Sequence, residues 1–269
     1  MDASDGFRMA VSAAEVYDEF FAPALFDQWP EQVLNAAEVA PGQRVLDVGC
    51  GTGILTRAAA GRVGSQGHVV GLDPNPGMLS VAMRSVEPIE WREGVAESLP
   101  FEDGSFHRVV SQFAAMFFTD AETAISEIAR VLAPSGRVAI ATWAPLAETP
   151  GYAAMVDLLD RLFGEEAADA LRAPFTFGDV DRMKELLSNS LSGVEVDVVE
   201  GTARFPSIER WVFTDIRGWT LAEMIDDDQY AALLAAAESE FARFADGTGA
   251  VSFPAPALIA SGKSPSSQI

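Results

Sequence analysis

Basic residues are scarce in this chain. Lysine and arginine together number 18 against 40 aspartates and glutamates, a formal net charge of −22. A protein that grips nucleic acid or an anionic membrane needs a cationic face to neutralise phosphates. Only scattered cations occur here, so both partners are excluded and the acidity is read as solubility. Cysteine is nearly absent: Cys50 stands alone, an internal disulfide is impossible, and a reducing, cytoplasmic setting is expected. Two histidines and one cysteine do not suggest a zinc site. No apolar run approaches the roughly 20 residues of a membrane span. The opening MDASDGFRMA has no charged-then-apolar leader pattern.

What is present is a large apolar fraction, 49% of 269 residues, enough for the core of one α/β domain with additions. After a loose lead over residues 1–8, Val16, Phe20, Trp29, Val33 and Leu34 recur at helical spacing. Pro23 and Pro30 are expected to break that stretch into two helices. From Arg44 to Trp143 strands and helices alternate: RVLDVG, GILTRAAAGR, GHVVGLD, PNPGMLSVAMRSV, IEWREG, FHRVVSQ, AETAISEIARVL, then an APSG turn and RVAIATW. Such alternation means a mostly parallel sheet with helices on both faces. Thr52 is the expected N-cap of the first of these helices. Beyond Trp143 the chain turns helical, with GVEVDVVEG a sixth strand and residues 246–263 a last one. Pro254 and Pro256 make that last strand irregular or place it near an edge. The division is 1–40 as an N-terminal cap, 41–143 as the ligand-binding core, and 144–190 and 205–245 as helical lid insertions, all in one domain.

The stretch VLDVGCGTG carries the chemistry. Glycines at a strand-to-helix turn let a ligand approach the backbone, and in open parallel sheets ligands bind at the carboxyl ends of strands. Gly49, Gly51 and Gly53 should therefore floor a binding site. Their G-x-G-x-G spacing departs from the dinucleotide fingerprint G-x-G-x-x-G, whose third glycine would fall on Ile54. Asp47 adds negative charge, which suits a cationic ligand without phosphate. Asp73, ending the second strand, can accept both hydroxyls of a ribose. Ribose, a positive charge and no phosphate together suggest S-adenosyl-L-methionine (SAM).

In order and spacing, VLDVGCGTG, GLDPNPGML, GVAESLPFEDGSFHRVVSQFAAMFF and RVLAPSGRVAIATW resemble the motifs of class I SAM-dependent methyltransferases. The ubiquinone- and menaquinone-biosynthesis type and its small-molecule relatives are the most similar. The resemblance is close over residues 40–143. It implies a Rossmann-like, seven-stranded, mostly parallel sheet, SAM as cofactor with S-adenosylhomocysteine as product, and a small-molecule acceptor. By the same resemblance, Gly49 and Gly51 approach the methionine half and Asp73 the ribose. Pro74, Met78, Ala96 and Glu97 border the adenine. Ser111 and Gln112 lie near the methyl group, and Tyr17 and Phe21 sit on a helix that closes over the cofactor. Val95 and His107 replace residues commonly acidic in the family; the first removes one adenine contact and the second has little effect.

Methyl transfer from a sulfonium needs positioning and desolvation more than a base, and no side chain in the sequence marks itself as one. His68, His107 and Cys50 are read as structural. DDD at 226–228 is a solvated helix start. Phe113, Phe117, Trp143, Phe175, Trp211 and Trp219 form an aromatic set, mostly core; the candidates for the acceptor pocket are Phe21, Phe113, Phe117, Trp143, Phe175 and Trp211. The expected activity is methylation of O, N or C, with O or N favoured, on a largely apolar or aromatic molecule, as monomer or homodimer. The alternatives are a SAM-binding fold doing another reaction such as cyclisation, a non-catalytic SAM-binding protein, and a nicotinamide dehydrogenase, which the missing third glycine opposes.

Overall fold

Five segments at the heart of the sequence form a parallel array: β1 (Arg44–Val48), β2 (His68–Asp73), β3 (Glu90–Glu93), β4 (Phe106–Gln112) and β5 (Leu132–Trp143). The structure is a computed structural model that describes residues 13–217, 221 and 224–265. The leading residues 1–8 and Trp219 lie outside the described residues. Strand order in the main sheet is β3-β2-β1-β4-β5-β9-β6, where β6 is Ser192–Val199 and β9 is Ala257–Lys263. The last two pair antiparallel. This is the Rossmann-like seven-stranded sheet that the sequence implies.

β1 and β2 are buried at every position but the first, as expected where helices cover both faces of a parallel sheet. Alternation along each strand sends neighbours to opposite layers. Val45, Val69, Val110 and Ala139 pack with α2 (Pro30–Ala36) and α3 (Ile54–Val63). Leu46, Val70, Val109 and Val138 pack with α5 (Ala121–Val131). The chain leaves β1 toward β2 and β3 on one side and β4 and β5 on the other. That reversal of direction opens a crevice at the strands' carboxyl ends.

Several expectations give way to tertiary packing. Pro23 does not end its helix: α1 (Ala13–Val16) runs directly into a π-helical segment, Tyr17–Phe26, that contains it. The i→i+5 pattern there departs from the α-helical ladder that a proline's ring and missing N–H interrupt. Pro30 instead opens α2 at its first position, where a missing N–H costs nothing. APSG is absorbed into β5, with Ser135 at φ +63. The prolines of the C-terminal stretch separate β8 (Val251–Pro254) from β9, and β9 lies between β5 and β6 inside the sheet, not at its edge. β8 pairs with β7 (Thr202–Phe205) in a second, two-stranded sheet that the sequence did not announce.

Thr52 does not cap α3. Gly53 holds that position at φ +89, and the Thr52 hydroxyl is buried without a partner. Of the expected lid insertions, α6 (Pro150–Phe163), α7 (Glu165–Arg172) and α9 (Ile208–Arg217) rise beside the crevice, with α10 (Asp227–Glu240) packed outside α6 and α9. α8 (Val180–Ser188) does not join them. Met183 and Leu187 pack it under the sheet with Ile125 and Ile128.

Candidate active site

The turn after β1 is stitched to the end of β2. Gly49 and Cys50 donate backbone N–H bonds to the Leu72 carbonyl at 2.8 and 3.0 Å. Asp73 receives the Gly51 amide on Oδ2 and the Asn75 amide on Oδ1, each at 2.8 Å. Asn75, not Asp73, then caps α4 (Pro76–Ala82), accepting from Gly77 and Met78. Gly49 (φ +71) allows no side chain, because a Cβ would stand 2.3 Å from the Ala114 Cβ. Gly51 (φ +55) is different: nothing lies within 4 Å of where its Cβ would be. The bare backbone there faces a cavity of about 470 Å³, a size suited to a nucleoside cofactor.

The cavity is lined by Tyr17, Asp47, Gly49, Gly51, Asp73, Pro74, Met78, Ala96, Glu97, Gln112, Phe113 and Phe117 among the sequence candidates. Phe26, Cys50, Thr52, Asn75, Val95, Ala114 and Thr119 join them without having been anticipated as lining. No lining residue is Lys, Arg or His, so no side-chain cation is there to pair with a phosphate. Asp47 is 1% exposed. Its Oδ2 accepts from Thr56 Oγ1 at 2.6 Å, while Oδ1 has no partner. Burial, opposed by that hydrogen bond and reinforced by Asp73, raises its pKa to about 7. Burial raises Asp73 as well, held back by its two amide donors. Cys50 is pushed well up by burial and by both carboxylates, so it stays an inert thiol. Burial and the carboxylates of Asp73, Asp18 and Asp47 push the Tyr17 hydroxyl up, keeping it protonated. The Glu97 carboxylate accepts the Thr119 amide at 2.6 Å and the Asp120 amide at 3.2 Å, bracing the start of α5.

Three candidates do not face the site. Gly53 packs beneath Trp91, whose Cη2 would lie 2.5 Å from an added Cβ. Ser111 is fully buried and donates to the Val48 carbonyl at 2.8 Å, tying β4 to β1. Strand alternation gives the cavity only one of two neighbours, and that one is Gln112, whose Oε1 is buried and unpartnered. Trp211 is wholly buried behind the site against Phe241 and Phe253, with centroids 4.8 and 4.7 Å away.

A second, smaller cavity of about 40 Å³ adjoins the first. Phe26, Phe113 and Phe117 line both. Phe21, Trp143 and Phe175 line the inner one as the sequence suggests, with Leu25, Met116, Tyr152, Leu171, Pro174 and Asp215. Rings run continuously between the cavities: Tyr17 stacks on Phe26 at 5.2 Å, Phe26 meets Phe113 at 5.3 Å, and Phe113 stacks on Trp143 at 4.1 Å. Phe113 holds φ +53, a strained setting for a bulky residue that turns the chain off β4. Tyr152 and Asp215 escaped the sequence reading. The available signal was an acid four residues after Trp211, on the apolar side of SIERWVFTDI.

The two histidines serve structure. His107 Nδ1 accepts the Arg44 amide at 2.9 Å, and His68 meets Glu90 at 3.0 Å near the sheet edge.

The sheet order and crevice are those of the Rossmann-like class I methyltransferase fold. Residues 46–140 match the family described as a methyltransferase domain. Over 115 residues the chain is 40% identical to demethylmenaquinone methyltransferase of Bacillus cereus (strain AH187), a match covering 41% of this chain and 48% of that protein. The chain thus spans about half the length of the curated relatives it matches. Among solved structures, YcgJ of Bacillus subtilis aligns with TM-score 0.58 at 23% identity, over 87% of this chain and 97% of that one. Phosphoethanolamine N-methyltransferase 2 of Haemonchus contortus, solved with S-adenosyl-L-methionine, aligns with TM-score 0.59 at 19% identity, over 96% and 59%.

Proposed function

We propose that the protein transfers a methyl group from SAM to a small, largely apolar or aromatic molecule. One observation carries the reading: a cation-free cleft with two buried carboxylates at the switch point of the sheet runs into a pocket walled by aromatic rings. Two carboxylates and no side-chain cation disfavour a phosphate-bearing dinucleotide and favour a cationic nucleoside. When bound, SAM supplies a methyl group on an electrophilic sulfonium.

The residues present suit it. Asp73, already fixed by two backbone amides, keeps lone pairs for ribose hydroxyls. The unpartnered Asp47 Oδ1 suits the positive charge of the methionine half. The open backbone at Gly51 leaves room for that chain, while Pro74, Met78 and Ala96 give the adenine an apolar slot. Tyr17 and the segment Tyr17–Phe26 cover the cleft and exclude water, which is most of what methyl transfer asks of a protein. The relative's action on demethylmenaquinone and the aromatic walls here both favour a ring-containing acceptor. No helix among the described residues is long and apolar enough to cross a membrane. A cytoplasmic setting, secondary metabolism and a small-molecule partner belong to the same proposal.

Thermal unfolding with SAM, S-adenosylhomocysteine and NAD tests it. SAM at a hundred times its Kd should add about 2.7 kcal/mol of stability, with NAD adding none. Labelled methyl should then appear on an aromatic acceptor. Stabilisation by NAD alone, or SAM binding with no methyl transferred to any of a broad panel of acceptors, would sink the proposal.

A further inference from the structure

The inner cavity is apolar on nearly every side, yet Asp215 lines it. The residue is 1% exposed. Its Oδ1 accepts from the Tyr152 hydroxyl at 3.2 Å, a long bond, and its Oδ2 has no hydrogen-bond partner. The indole N–H of Trp211, one turn back on α9, lies close enough to favour the ionised carboxyl as a hydrogen-bond donor does, but falls outside good hydrogen-bond geometry, so neither group is fully satisfied by the other. A buried polar atom without a partner calls for a reason. Pockets for small molecules are mostly apolar with a few placed polar groups that orient the ligand, and here the carboxyl and the Tyr152 hydroxyl are those groups.

We infer that Asp215, braced by Tyr152, is the hydrogen-bonding anchor for the methyl acceptor, and that the acceptor is a hydroxylated aromatic molecule whose hydroxyl donates to this carboxyl. The inference rests on the methyl-transfer reading of the same site. Phe26, Phe113 and Trp143 provide ring faces against which an aromatic body stacks. The cavity, at about 40 Å³, holds a hydroxyl and the edge of a ring, not a whole bicyclic molecule. The rest of the acceptor therefore extends past Phe113 and Phe117 toward the cofactor cleft, or displaces Phe117, which is 54% exposed. Asp215 lies at the end of the site away from Asp47 and Asp73, so it selects and orients the acceptor without touching the cofactor turn.

The test uses two ring compounds of the same shape, 2-naphthol and 2-methylnaphthalene, titrated into the full chain with and without S-adenosylhomocysteine and read by tryptophan fluorescence. The wild type should bind the naphthol roughly 10- to 100-fold more tightly. Asp215→Leu should abolish that preference while keeping or improving the affinity for 2-methylnaphthalene; a role confined to structure would weaken both alike. In wild-type protein carrying carboxyl-labelled aspartate, the Asp215 resonance, assigned by its loss in Asp215→Asn, should shift with naphthol and not with its methyl analogue. Equal affinities in the wild type, or an unmoved Asp215 resonance on naphthol binding, overturn the inference whether or not Asp215→Leu folds. SAM affinity measured on the same preparation separates the two claims: intact SAM binding without a hydroxyl preference removes the anchor and leaves methyl transfer standing.

Discussion

At the scale of single residues, two carboxylates and two glycines line the cleft at the end of β1, the turn after it and the end of β2. Asp47, with a pKa raised to about 7, is partly protonated at neutral pH when the cleft holds no cation. A positively charged ligand favours the carboxylate, so SAM binding should release a proton, more at pH 6 than at pH 8. Calorimetry in buffers of different ionisation enthalpy reads this directly, and a buffer-independent enthalpy at pH 6 would remove Asp47 from cofactor recognition. Asp73 has two duties. Asp73→Ala frees both the Gly51 and Asn75 amides as well as the proposed ribose contact. It should lower the melting temperature and weaken SAM by roughly 10- to 100-fold. Asp73→Asn keeps one acceptor oxygen and should recover part of the stability but little of the affinity. Gly49 and Gly51 part company in the same way. Gly49→Ala meets Ala114 and should cost about 2–4 kcal/mol. Gly51→Ala meets only backbone strain, about 1–2 kcal/mol. Its methyl group stands in the cleft, so it should fold and lose SAM affinity. A Gly51→Ala protein with unchanged SAM affinity would mean that this backbone is not the floor of the site.

At the scale of elements, the segment Tyr17–Phe26 is the one to watch. The Glu15–Arg84 ion pair at 2.7 Å holds α1 just ahead of it and Arg210 lies over its Phe20 at 4.5 Å, while on the inside Tyr17 stacks on Phe26 and Phe26 meets Phe113 and Trp143. Exposed ion pairs add little, so ring packing carries most of its attachment. Tyr17→Ala should weaken SAM by about tenfold, the loss of one buried ring face, while Tyr17→Phe should not, because the hydroxyl stays protonated and supplies only a polar tip. SAM should also slow proteolytic cleavage within residues 13–26. Equal losses in the two Tyr17 variants would shift the role from the ring to the hydroxyl. The same scale explains Ser111 and Gln112: adjacent in sequence, they serve opposite faces of β4, one locking strands and one lining the cleft.

At the scale of the whole molecule, two buried acids set a pH signature. The carboxyls of Asp47 and Asp215 both rise from 3.8 to about 7, driven chiefly by burial. Between those values the folded protein holds protons that the unfolded chain has lost. The stability linked to each is fully present below about pH 4 and falls as pH rises through about 7, by on the order of 4 kcal/mol at most. Asp215→Asn cannot ionise, so its stability relative to wild type should improve from pH 4.5 to pH 7.5 in denaturant titrations. A pH-independent difference would show that Asp215 is ionised throughout.

Much of the architecture was legible because it is written locally. Nearly continuous apolar runs such as RVLDVG and GHVVGLD read as strands buried on both faces, and a glycine pair between strand and helix must bare its backbone. These follow from side-chain period and φ alone, so β1, β2, α3 and the glycine turn between them were readable along the chain. What the chain could not disclose depends on residues far apart in sequence. The sequence made the Pro254–Pro256 stretch irregular or near an edge; it is irregular, broken between β8 and β9, but pairing with β5 and β6 drew β9 inside. Trp211 read as a pocket wall, and Phe241 and Phe253 closed over it. Asp215 looked like one more acid among 40, until Tyr152, 63 residues away, and the rings around it made it the polar point of an apolar pocket. Local pattern determines which segments are strands, helices and turns. Only the packing of distant segments determines which side chains share a cavity, because burial and electrostatic environment are properties of neighbours in space.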